Sequence, residues 1–130
     1  MPIIPQTPGM HHIALRCMDM NVTKNFYQNV IGFTLAIDTP ELIIFAVGSV
    51  YVAFKPANPR DKNYLSFSPF EVGLDHIAIT CQSEDELHRF AKELTDAQVE
   101  NTGVKLDETL QKLYVAFKDP DRIQWEFYMS

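Results

Sequence analysis

Apolar and polar positions alternate in two places that spell nearly the same thing, His12-Ile13-Ala14-Leu15-Arg16-Cys17 and His76-Ile77-Ala78-Ile79-Thr80-Cys81. Period-two alternation predicts a strand at each. A helical pattern follows both. After the first strand, Asn21 is placed to cap a helix whose apolar positions Val22, Phe26 and Val30 recur every four residues before Gly32 stops it. After the second, Ser83 and Glu86 have capping-box spacing, and Leu87, Phe90, Ala91 and Leu94 fall at i, i+3, i+4 and i+7. Each helix is expected to bury one face.

β-rich runs come next: Thr34 to Asp38, Leu42 to Val47 and Val50 to Lys55, the last two joined at Gly48-Ser49 as in a hairpin. The second half repeats the order with a weaker strand around Glu100 to Val104, then Leu113 to Lys118, a turn at Asp119-Pro120-Asp121-Arg122, and Ile123 to Met129. The chain therefore reads as a duplicated strand-helix-three-strand unit, about 9–56 and 73–130, joined by a loop over 57–72. The letters Tyr-Val-Ala-Phe-Lys occur at 51–55 and again at 114–118. Turn order separates them, since the first copy follows its hairpin turn and the second precedes one. The counterpart of Ile123 to Met129 is then Val50 to Lys55.

At 130 residues and 46% apolar composition, the chain suffices for one compact domain with a core and leaves no room for a second. A net charge of -6, with lysines and arginines scattered singly, offers no basic stripe for nucleic acid. No stretch is long and apolar enough to span a bilayer, and the N-terminus lacks the pattern of a secretory leader. A cytoplasmic protein is expected. Cys17 and Cys81, on the opposite strand face from their histidines, are expected as buried thiols rather than metal ligands or a disulfide.

Strand parity places His12, Ala14 and Arg16 on one face of the first strand, and His76, Ala78 and Thr80 on the same face of its counterpart. In the last strand Gln124, Glu126 and Tyr128 share the face opposite to Ile123, Trp125, Phe127 and Met129. Two imidazoles and a carboxylate, His12, His76 and Glu126, form a donor set suited to one divalent ion such as Fe, Zn, Ni, Mn or Co, with open positions left for substrate oxygens. His11 pairs with Asp75 in the repeat and is expected to be structural. His88, among charged residues on a helix, is expected to be solvated.

The stretches His12 to Leu15, Asp75 to Ile79 and Phe117-Lys118-Asp119-Pro120-Asp121-Arg122-Ile123-Gln124-Trp125-Glu126 resemble the glyoxalase/bleomycin-resistance/extradiol-dioxygenase superfamily, the vicinal oxygen chelate proteins. The resemblance runs from about Gly9 to Tyr128. It implies an α+β fold in which two βαβββ modules, a single glyoxalase-like domain over 1–130, form a curled mixed sheet around a metal-binding cavity. It further implies metal ligands at His12, His76 and Glu126, a catalytic part for Glu126, and a homodimer. The implied reaction is of lyase, isomerase or dioxygenase type on a small molecule that chelates the metal through neighbouring oxygens. On the cavity face, Arg16, Thr80, Gln124 and Tyr128 are candidates for substrate contact. Glyoxalase I proteins add a fourth ligand in the strand matching Val50 to Lys55, where this chain has Val52 or Ala53. The competing expectation is a metal-free binding protein of the bleomycin-resistance kind, with an aromatic-lined groove.

Overall fold

The computed structural model describes residues 1–58 and 65–130; of the expected connecting loop 57–72, residues 59–64 lie outside the described residues. The chain divides into two compact units, Met1–Asn58 and Pro59–Ser130. In the first, β1 (His12–Cys17) leads into α1 (Met20–Asn25), a π-helical segment Phe26–Ile31, then β2 (Thr34–Thr39), β3 (Leu42–Val47) and β4 (Val50–Pro56). In the second, β5 (Ile77–Cys81) leads into α2 (Glu84–Asp96), β6 (Asn101–Asp107), β7 (Lys112–Lys118) and β8 (Gln124–Met129). Each unit is thus βαβββ.

The sheets have the same wiring. Their strand orders are β1-β4-β3-β2 and β5-β8-β7-β6, with the first strand parallel to the fourth and the rest antiparallel. Both are open, mixed, four-stranded sheets. β8 therefore does correspond to β4, and the two Tyr-Val-Ala-Phe-Lys runs occupy non-equivalent strands, β4 and β7. The predicted alternation holds: Ile13, Leu15 and Cys17 turn inward while His12, Ala14 and Arg16 stay exposed, and β5 repeats the pattern.

In the first unit Tyr27, Phe45 and Phe54 are fully buried, with the Tyr27 and Phe54 rings 4.6 Å apart. Trp125, Phe117, Val115 and Leu87 form the equivalent core of the second. Both cysteines are buried thiols, as expected. Ser83 caps α2 by accepting the Glu86 N–H, and Leu87, Ala91 and Leu94 face inward. Among the described residues no helix is long and apolar enough to cross a membrane.

The first helix departs from its expected phase. Asp19, not Asn21, is the cap, with its carboxylate accepting the Asn21 and Val22 N–H groups at 2.9 and 3.1 Å. The helix then widens, and the Tyr27 carbonyl accepts from Gly32 five residues on. An earlier start and a wider turn rotate the buried stripe onto Thr23, Phe26 and Tyr27, leaving Val22 and Val30 exposed.

Two irregularities shape the second unit. A bulge between Asn101 and Val104 breaks the β6–β7 ladder, with Gly103 at φ 68°, and the Thr102 hydroxyl accepts the Ala116 N–H at 3.0 Å in place of a backbone partner. Before β8, the Asp119 carboxylate accepts the N–H groups of Asp121 and Ile123, both at 2.8 Å. That turn fixes where β8 begins. It thereby sets the face on which Glu126 emerges.

Candidate metal centre

The last strand carries Glu126 on the face opposite to Trp125, and the sheet flanks it with small side chains. Ala78 of β5 and Ala116 of β7 are its cross-strand neighbours. Neither offers a polar atom, and Glu126 is only 9% exposed. A carboxylate so placed is costly unless positive charge or hydrogen bonds compensate it. Its polar partners among the described residues are two: Gln124 Nε2 donates a long hydrogen bond to Oε2 at 3.4 Å, and His76 Nε2 lies 3.4 Å from Oε1.

His76 stands just ahead of β5, and its other ring nitrogen is held. Asp75 Oδ1 accepts from Nδ1 at 2.7 Å, so Nδ1 carries a proton. In the neutral ring Nε2 is then a lone pair, facing a carboxylate oxygen that is also a lone pair. A cation between them resolves the conflict, either a proton on Nε2 or a metal ion. Two ligands of one divalent ion with bonds near 2.1 Å stand roughly 3–3.4 Å apart, which accommodates the observed separation. A carboxylate on the remote nitrogen of a ligating histidine is also the arrangement that fixes the tautomer and raises ligand basicity. The pair therefore fits a divalent ion.

The first unit repeats half of this. His12 is exposed, and its Nδ1 lies 2.9 Å from Nδ1 of the preceding residue, His11. In both units the residue before the repeat histidine contacts the same ring nitrogen, Nδ1. His11 and Asp75 thus take an orienting part that strand parity alone did not reveal; their matched positions in the repeat were the available signal. Among the described residues, no three His, Cys, Asp or Glu side chains cluster so as to hold an ion. His76 and Glu126 come together, and His12 is described within its own unit.

A cleft of about 740 Å³ opens beside the His76–Glu126 pair, lined also by Leu106, Asp107, Leu110, Tyr114 and Tyr128. Its size suits a small organic ligand. Tyr128 stacks on Tyr114 with ring centroids 5.9 Å apart, and its hydroxyl donates to Asp107 Oδ2 at 2.7 Å. Partial burial, then that hydrogen bond, push the phenol up to about 12, and the same bond holds the Asp107 carboxyl below its usual range. Tyr128 therefore presents its ring to the cleft, its hydroxyl being engaged as a hydrogen-bond donor to Asp107.

Gln124 touches Glu126. Thr80 is exposed on β5 with Tyr128 as its cross-strand neighbour. Arg16 sits at the opposite end of β1 from His12, donates to the Pro56 carbonyl at 3.0 Å, and lines a separate cleft with Glu41 and Lys55. His88 is exposed on α2 near Glu84, as expected of a solvated residue.

The description "Glyoxalase/Bleomycin resistance protein/Dioxygenase superfamily" belongs to a family model that matches residues 9–127. The chain is a member of this superfamily. The uncharacterised protein YwkD of Bacillus subtilis is 28% identical over 128 residues, covering 92% of this chain and 95% of that one. The metallothiol transferase FosB of Lysinibacillus sphaericus is 25% identical over 120 residues, covering 92% and 81% respectively. In fold, the chain superposes on a lactoylglutathione lyase from Agrobacterium tumefaciens with a TM-score of 0.76 at 15% identity, covering 97% of this chain and 96% of that one. Against this superfamily fold, the register settles which position of β4 matches Glu126. Ala14 pairs with Ala53 as Ala78 pairs with Glu126, so the counterpart is Ala53.

Proposed function

We propose that this superfamily member is a divalent-metal-dependent enzyme acting on a small substrate through neighbouring oxygens. The observation that carries the reading is the buried Glu126 carboxylate facing a histidine whose far nitrogen is already held by Asp75. His76 and Glu126 are the assigned ligands, with His12, gripped in the same way at Nδ1, as the further imidazole. The donor types suit Fe, Zn, Ni, Mn or Co. A bound ion would act as a Lewis acid, stabilising negative charge that develops on substrate oxygens.

The protein's own groups supply the rest. Asp75 orients the imidazole, and Ala78 and Ala116 leave room above the sheet for a substrate to reach Glu126. Glu126 is the group placed to take up a proton beside the reacting atoms. The stacked rings of Tyr114 and Tyr128 give the substrate an apolar wall and exclude water on that side. Gln124, through its amide, steadies Glu126 and is placed to contact the substrate. FosB, by its name, is a metallothiol transferase, which supports metal use in a relative.

Elemental analysis of purified protein tests this reading. About one divalent metal per chain is expected, lost in both His76→Ala and Glu126→Gln. Protein that stays metal-free after incubation with each of these ions, yet binds aromatic ligands, belongs instead to the bleomycin-resistance kind of binding protein. A homodimer remains part of the proposal, checked by light scattering.

A further inference from the structure

Three cross-strand pairs line one face of the β7–β8 ladder in order: Tyr114 with Tyr128, Ala116 with Glu126, and Lys118 with Gln124. Neighbouring pairs are two residues apart along each strand, or roughly 7 Å. The proposed metal ligand thus has an aromatic pair on one side and a cation with an amide on the other. The two ends differ in charge. Asp107 and Glu108 line the cleft at the aromatic end. At the other end a smaller cleft of about 300 Å³ is lined by Lys118, Gln124, Arg122, Glu100, Asn101 and Thr102.

Within that second cleft Arg122 is tied to Glu100 at 2.7 Å, so the pair is neutral. Among the described residues Lys118 has no carboxylate partner, and it is only partly exposed. Arg122 sits at φ 73°, a left-handed conformation that disfavours a side chain, and so caps the cleft from the turn before β8. The small Ala116 leaves the face open between Lys118 and Glu126, and the Gln124 amide spans the two clefts by touching Glu126.

We infer that Lys118, with Gln124 beside it, binds an anionic group of the substrate, a carboxylate, phosphonate or phosphate, carried roughly 7 Å from the metal-chelating oxygens. The acidic rim at the Tyr128 end repels such a group, so the charge gradient along the ladder fixes which way round the substrate lies. This deepens the metal reading and rests on it.

Titration calorimetry of the zinc-loaded protein with three probes tests it. Catechol offers two neighbouring oxygens alone, 3,4-dihydroxybenzoate adds a carboxylate across the ring, and 2,3-dihydroxybenzoate places the carboxylate beside the chelating oxygens. The wild type is expected to bind 3,4-dihydroxybenzoate about 10-fold more tightly than catechol, and to show no such preference for the 2,3-isomer. The preference falls to about 1 in Lys118→Met, stays in Lys118→Arg, and is unaffected by Lys112→Met at the opposite end of β7. Equal binding of catechol and 3,4-dihydroxybenzoate by the wild type, or a preference that survives Lys118→Met, overturns the Lys118 assignment alone. A preference lost in Lys112→Met instead reverses the orientation and overturns it as well. Protein that takes up none of the ions named above overturns the metal reading and this assignment together, whereas zinc-loaded protein that binds none of the three probes overturns this assignment alone.

Discussion

The two units share an order of strands, a parallel closing pair, a buried cysteine at the end of the first strand and a histidine at or just ahead of its start. They part at one register position. Where β8 carries Glu126 between two alanines, β4 carries Ala53, with Ala14 as its neighbour. The backbones are equivalent, so the scaffold does not need the carboxylate. A buried acid present in one copy only supports the proposed metal site, because a purely structural demand would recur in both. The residues that grip the histidines differ in the same direction: Asp75, an anion, in the second unit, and His11 in the first.

The largest effect expected is on the cores. Trp125 is fully buried and pairs in register with Ile77, and Val52 occupies the matching site beside Ile13. Trp125→Ala should cost about 3–5 kcal/mol and Val52→Ala about 2 kcal/mol in urea denaturation. Equal costs would show that the two cores are not built alike. Next comes Glu126→Gln, expected to weaken metal binding by at least about 100-fold, whereas Ala53→Gln leaves it within a few-fold. Competition with a chelator measures both, and comparable losses would break the asymmetry. Asp75→Asn should weaken metal binding by about 10- to 100-fold with ligands intact, and His11→Ala by less.

The smallest effect concerns pH. Because the Tyr128 hydroxyl lowers the Asp107 pKa, their bond stabilises the fold above the ordinary carboxylate pKa and is lost as pH falls through the lowered value. Because the phenol is raised to about 12, the same stabilisation is complete below 10.0 and disappears as pH rises through about 12. The melting temperature of Tyr128→Phe should lie below the wild type by a constant amount across neutral pH and converge with it at both extremes. A gap that persists at the extremes would assign the stabilisation to ring packing.

Much of this could be read from the chain beforehand. Period-two alternation placed β1, β5 and β8 and the faces of their side chains, since a sheet with one buried side enforces parity. α2 was legible because Ser83 and its apolar stripe agree with a regular helix. The first helix was legible but its phase was not, because the Asp19 cap and the π-helical turn at Phe26–Ile31 move the buried stripe onto Thr23, Phe26 and Tyr27, which a regular period does not express. For the site, residue types pointed to His76 and Glu126, but three things depend on geometry: the hold of Asp75 on Nδ1, the donation of the Tyr128 hydroxyl to Asp107, and the position of Arg16 in another cleft. Side-chain partners across strands follow register, and register is set by bulges and turns such as those at Thr102 and Asp119.

The parallel pairing of β5 with β8 joins the beginning of the second unit to the end of the chain. The two proposed ligands thus meet only when β8 pairs with β5. Contacts so distant along the chain close slowly. His76 precedes Glu126 by about fifty residues, so an ion held by the proposed pair would bind only after β8 has docked against β5.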